Sequence, residues 1–302
     1  DKDLFERLSR LTDAVIIDVY LTPRTRIKYL IYRIMSRKKD LKFSKIFYSF
    51  PKPRSKRFLS FAELVYPYSL PIFVISNRQE RYVKTVFGAD CKRIFPPVSN
   101  LYYEEQNKKK QNEFELTWIG RLDKGKGADL VFEIFKFFSN QKGIKLNVLA
   151  HSVNNDQSVS IPDWVNDCEN MDTQLVNYSG YSENLDIEVA SLLKRTNCFI
   201  SPYRHLESTI DCPMLIQESY SGGCRVITED YEINRNILGS HHLLIKHESK
   251  DSRKIKLYIE GVNCVLSDYK SGKYIKNTGI QHEFRAEYVW SQISSVIRND
   301  AS

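Results

Sequence analysis

The strongest constraint on the fold is an eight-residue stretch, Gly120-Arg121-Leu122-Asp123-Lys124-Gly125-Lys126-Gly127. It follows an apolar run at 114–119 and opens a helical pattern at about 126–140, whose apolar stripe is Leu130, Val131, Ile134, Phe135 and Phe138. A short apolar run, a glycine-rich turn and an amphipathic helix make the first half of a βαβ unit. The alternation recurs on both sides. Strands are expected at 14–19, 46–48, 72–75 and 92–95 before this stretch, and at 145–149, 175–178, 198–201 and 225–228 after it. Strands alternating with helices define an α/β chain built on parallel sheets.

The spacing predicts two Rossmann-like, doubly wound domains, and 302 residues suffice for two cores. Residues 1–100 form the first domain, short or incomplete. The polar, lysine-rich 101–112 stretch is the linker and 113–280 the second domain. Residues 281–302 supply an amphipathic helix with Trp290, Ile293 and Ile297 on one face, expected to pack back toward the first domain. The chain starts at Asp1 rather than Met, which suits a processed form or a fragment.

Composition narrows the class. No apolar run approaches the ~20 residues of a membrane span, and no secretory signal is visible. Six cysteines are scattered without a Cys-x-x-Cys pair, which argues against a zinc ribbon or redox motif. Cys198 and Cys224 fall in apolar contexts and read as buried thiols, which suits a reducing cytoplasm.

Charge is unevenly placed. The chain carries net +8, yet 20–57 alone holds thirteen Lys or Arg against the single acid Asp40, so the remainder is net acidic. Within that segment Thr22 and Pro23 read as a helix start, and Ile27, Leu30, Ile31, Ile34 and Met35 follow at helical spacing. One reading is a solvated outer face of a sheet-packed helix. The other is contact with an anionic membrane surface, since Tyr29, Tyr32, Phe43, Phe47 and Tyr48 interleave with the cations. No nucleic-acid reading motif accompanies the charge, and no nucleic-acid partner is expected.

The Gly120 stretch has three readings. Gly-x-x-x-x-Gly-Lys suggests a triphosphate loop, but Gly127 stands where that loop needs Ser or Thr to hold magnesium. A dinucleotide fingerprint lacks its third glycine, because Leu130 occupies the position. The third reading joins it to a second stretch, Glu218-Ser219-Tyr220-Ser221-Gly222-Gly223-Cys224-Arg225-Val226-Ile227. Thr117 to Leu122, then Lys126 to Leu130, resemble the start of the C-terminal domain in retaining glycosyltransferases of the GT-B fold. The resemblance is to the group-one, family-four type that includes sucrose synthase-like and mannosyltransferase enzymes. Glu218 to Val226 resembles the same family's Glu-Ala-Met-Ala-Ser-Gly-Cys-Pro-Val.

The resemblance implies two domains facing across a cleft and a nucleotide-diphosphate sugar as donor, with no separate cofactor and no metal. Arg121 and Lys126, beside Gly120, would hold the donor diphosphate. Backbone amides at Met214, Leu215 and Ile216 would meet the phosphates, and Glu218 would accept the ribose hydroxyls. A carboxylate suits a vicinal diol because each oxygen accepts one hydroxyl. The family's earlier glutamate falls at Ile210 here, and Glu207 is the nearest candidate to contact the transferred sugar. The family's N-domain histidine has no counterpart, since Ser49-Phe50-Pro51 stands at its place.

The expected activity is hexosyl transfer with retention to a glycan or lipid-linked acceptor, in the cytoplasm or at the membrane periphery. The alternative is a non-catalytic relative that binds a nucleotide sugar or an anionic polymer.

Overall fold

The computed structural model describes residues 15–18, 42–47, 72–87, 90–103, 113–152, 158–177, 183–205, 213–238, 242–275 and 282–299. The expected helix after Pro23, most of the basic 20–57 segment, the Ser49-Phe50-Pro51 stretch, most of the expected linker and Glu207 lie outside them. The chain divides into two units. Unit 1 is Asp1–Pro96, Ile210–Cys212 and Ala286–Ser302; unit 2 is Pro97–Thr209 and Pro213–Arg285.

Unit 1 contains a parallel sheet of β1 (Val15–Asp18), β2 (Lys42–Phe47), β3 (Ile72–Val74) and β4 (Cys91–Arg93), side by side in sequence order. Helix α1 (Asn77–Tyr82) follows β3 and widens into a π turn at Val83–Phe87. Its start is fixed reciprocally. The Ser76 hydroxyl accepts the Gln79 amide at 3.1 Å, and the Gln79 side chain accepts the Ile75 amide at 2.9 Å.

Unit 2 runs β5 (Phe114–Arg121), α2 (Ala128–Phe138), β6 (Ile144–Ser152), β7 (Met171–Asn177), α3 (Glu183–Arg195), β8 (Cys198–Ser201) and α4 (Met214–Ser221). It continues with β9 (Arg225–Glu229), α5 (Glu232–Ile237), β10 (Leu243–Ile245) and α6 (Asp251–Lys270). The sheet is wholly parallel, in the order β10-β9-β8-β5-β6-β7. Counted from β5, this is the 3-2-1-4-5-6 arrangement of the Rossmann fold.

Central β5 is buried from Phe114 to Gly120, as a strand covered on both faces must be. Its two polar core residues are satisfied: Glu115 meets Asn147 at 2.9 Å and Arg195 at 3.0 Å, and Thr117 meets Thr196 at 2.7 Å. All five residues of the expected α2 stripe are buried, and Phe132 joins them. Tyr258, Val262, Val265 and Leu266 of α6 complete this core. Sequence patterning had singled out neither β10 nor α6.

Unit 2 begins at Pro97, ahead of the expected linker, because Val98 bridges to Arg285 and Tyr102 is buried. The last helix, α7 (Ala286–Asn299), belongs to unit 1, where Val289 and Ile293 pack with Phe73 and Ile94. Trp290 corrects the expected face. It is 60% exposed, because the buried stripe runs through Val289, Ile293 and the partly buried Val296. Residue 290 lies about 100° around the helix from 289.

Candidate functional site

In a sheet of this order the chain leaves β5 toward one side and β8 toward the other. The loops at their carboxyl ends part there, and that is where open α/β sheets bind ligands. The pairing shows the parting. β5 pairs with β6 all the way from Phe114↔Ile144 to Arg121↔His151, but with β8 only at Leu116↔Cys198 and Thr117↔Phe199. Beyond those pairs stand Arg121 and its turn on one side, and Ser201 to Arg204 on the other.

Asp123 shapes the turn. Its amide donates to the Arg121 carbonyl at 2.8 Å. One carboxylate oxygen accepts the Lys126 amide at 2.8 Å, and the other lies 3.1 Å from Arg121 Nε. One acid thus holds the cation that precedes it and the backbone of the cation that follows.

Gly127 closes the turn and caps α2 at φ 72°, in the left-handed region. A Cβ there would come within 2.1 Å of the Pro202 carbonyl oxygen, so the two loops meet only because this residue is glycine. Gly120 has a different reason. It is buried, and a Cβ would sit 2.9 Å from the Trp118 indole. The missing side chain leaves room for that ring beside Arg121.

Lys126 is half-buried, its ammonium 4.7 Å from the centre of the Tyr203 ring. Burial, and then the neighbouring Arg121, bring its pKa down to about 8, with Asp123 opposing. His151 lies level with Arg121 on the adjacent strand. Burial first, then Arg121 and Lys126, lower its pKa, so the imidazole is mostly neutral at pH 7.

The other wall is α4. Pro213 precedes it and gives no side-chain cap. The Ile216 amide donates to the Pro213 carbonyl at 3.0 Å, whereas the Met214 and Leu215 amides have no acceptor among the described residues. Among the described residues, two of the three expected phosphate donors have no acceptor, and the third is engaged. Glu218 lies one turn along, partly exposed, with no hydrogen-bond donor to its carboxylate among the described residues. Burial, then Asp186 of α3, raises its pKa to about 7.

Tyr203 links the walls. It is buried, its phenol pKa raised chiefly by burial, and it senses Glu218 as well as Asp123 and Arg121. Its segment is held from below. Tyr258 donates to the Ser201 carbonyl at 3.0 Å, Lys254 to the Tyr203 carbonyl at 3.4 Å and Tyr231 to the Arg204 carbonyl at 3.1 Å. Buried Glu229 binds both Lys254, at 3.3 Å, and Tyr258, at 3.2 Å.

The structure therefore places Arg121, Lys126, Met214, Leu215, Ile216 and Glu218 at the carboxyl end of one sheet. It adds His151, Tyr203 and Asp186, which sequence reasoning missed. The strand register would have found His151, because it fixes which residue of β6 stands beside Arg121.

The fold defined by these units is that of the GT-B glycosyltransferases. No family model matches the sequence, and no curated protein matches it either. Solved structures do match. HepE from Anabaena, solved with UDP and glucose, is 11% identical at a TM-score of 0.65, over 99% of this chain and 81% of that one. A glycosyltransferase from Rickettsia africae is 11% identical at 0.69, over 100% and 80%. The pneumococcal O-GlcNAc transferase GtfA, solved with UDP and GlcNAc, is 11% identical at 0.61, over 99% of this chain and 59% of that one. At these identities the likeness is one of fold.

Proposed function

We propose that the chain is a retaining glycosyltransferase that takes a sugar from a nucleotide-diphosphate donor and transfers it to a glycan or lipid-linked acceptor. The observation that carries this reading is the pairing of Arg121 and Lys126, ordered by one acid, at the same carboxyl end of the sheet as the start of α4 and Glu218. HepE and GtfA, similar in fold, were solved with UDP, which supports a nucleotide-diphosphate ligand.

The chemistry follows from charge. As the bond between the anomeric carbon and the phosphate oxygen breaks, the leaving group gains about one negative charge. Arg121, Lys126 and the first α4 amides would stabilise it, the work a metal ion does in other transferases. The acceptor hydroxyl attacks from the face the diphosphate leaves. Its oxygen forms the new glycosidic bond, and its proton passes to the departing phosphate oxygen. Glu218 accepts the ribose hydroxyls, and Glu207 contacts the transferred sugar. The basic 20–57 segment holds the chain at an anionic membrane surface on the cytoplasmic side; no helix among the described residues is long and apolar enough to cross a membrane.

The test is release of free nucleoside diphosphate from a panel of UDP-, GDP- and ADP-sugars, with and without acceptor lipids. Arg121→Ala and Lys126→Ala should each cut release by about 10²–10³-fold. Donor binding without release would make the chain a binding module. Magnesium-dependent hydrolysis of a nucleoside triphosphate would overturn both readings.

A further inference from the structure

Segments far apart in sequence meet at Arg204. Its two terminal nitrogens grip the Asp129 carboxylate at 2.6 and 2.8 Å. One of them also reaches the Lys124 carbonyl at 2.8 Å, and the other reaches the Asp251 carboxylate at 2.7 Å. The Arg204 amide donates to the Gly125 carbonyl at 3.1 Å. The residue therefore ties together the turn after β5, the first turn of α2, the first turn of α6 and the segment after β8. Its side chain is only 22% exposed. An isolated surface ion pair contributes little, but a forked guanidinium shared between two carboxylates and a carbonyl is the stronger case.

The geometry brackets Lys126. The two carbonyls that Arg204 binds belong to the residues just before it, Lys124 and Gly125. The residue just after it, Gly127, lies against the Pro202 carbonyl. The lysine has its backbone fixed on both sides and its ammonium laid over Tyr203. A cation held in place before a ligand arrives loses less freedom on binding.

We infer that Arg204 is a positioning residue of the donor site: it clamps the 124–127 turn onto the segment after β8 and so sets Lys126 against Tyr203. This rests on the reading of the site as a diphosphate grip. Lysine is a poor replacement, because one ammonium cannot hold two carboxylates and a carbonyl in a fixed fork.

The experiment is hydrogen exchange and UDP titration on the full chain, comparing wild type with Arg204→Gln, Arg204→Lys and Asp129→Asn. In Arg204→Gln the amides of 124–128 should exchange about tenfold faster while those of β5 and β6 hold, and the UDP dissociation constant should rise about tenfold. Arg204→Lys should keep the unfolding midpoint near wild type yet show the same local loosening and weaker UDP binding. Asp129→Asn, which removes one arm, should give a smaller version of both and covers the case in which Arg204→Gln does not fold. Unchanged exchange at 124–128 in Arg204→Lys and Asp129→Asn would overturn the inference, as would loosening that leaves UDP affinity intact. A wild-type chain that binds none of UDP, GDP and ADP overturns the diphosphate reading; exchange alone then decides whether Arg204 sets the turn.

Discussion

Lys126 and Glu218 carry opposite charges, and burial pushes each toward neutrality, to pKa values of about 8 and about 7. In the proposed donor site, phosphate would favour the charged lysine and ribose hydroxyls the charged carboxylate. Nucleotide affinity should therefore peak between about pH 7 and 8, weakening below as Glu218 protonates and above as Lys126 deprotonates. Titration against pH checks this: Glu218→Gln should flatten the acid limb and Lys126→Arg the alkaline one. The sign for stability is separate. The folded pKa of Glu218 exceeds its unfolded value, so the empty protein should lose on the order of 1–3 kcal/mol as pH rises from about 4.5 through 7, and Glu218→Gln should not. Two glycines make a second pair. Gly143, at φ 78° with open space around it, should tolerate alanine at about 1 kcal/mol; Gly127, at φ 72° against Pro202, should lose several times more in chemical unfolding. Arg121, Lys126 and Glu218 could be named as candidates from the sequence because their glycine turns lie beside them. His151, Tyr203 and Asp186 were not, because each enters from a different element and only the sheet order brings it in.

At the level of elements, the contrast between α2 and α6 shows where patterning stops. All five expected positions of the α2 stripe are buried, and Ala128 and Phe132 extend it without a break. On α6 the buried face includes Lys254 and Gly261 among Tyr258, Val262, Val265 and Leu266, so its apolar period is broken by a buried cation and a missing side chain. Both have structural causes. Lys254 meets Glu229, and a Cβ at Gly261 would stand 3.3 Å from Ile227. Breaking the buried pair should be costly. Lys254→Met alone takes the buried ammonium from Glu229, leaving it Tyr258 and the more exposed His247, and should destabilise by about 3 kcal/mol, whereas adding Glu229→Gln should recover most of that. A double-mutant cycle in denaturant measures the difference. Strand ends were less legible than strand centres. β6 runs on to Ser152 and β7 begins at Met171, because pairing with a neighbour, rather than local composition, decides where a parallel strand stops.

The whole molecule is two units threaded by one chain, and the thread does not respect their boundary. Val289 and Ile293 of α7 each contribute roughly 1.5–3 kcal/mol by burial against Phe73 and Ile94. Deleting 286–302 should therefore lower the melting of unit 1 while the transition of unit 2 persists, as two separated steps in calorimetry. The positive charge, by contrast, is concentrated in one segment, 20–57, against a net acidic remainder. Binding to vesicles of anionic lipid, proposed for 20–57, should fall steeply between 0.05 and about 0.5 M salt and vanish on neutral vesicles. The placement of α7 also sets an order in time. A ribosome emits unit 1 first, but Phe73 and Ile94 wait for a helix that emerges only after Arg285 has passed. Unit 2 can close while the core around Phe73 still waits for α7, so of these two units the one begun before the other is the one finished after it.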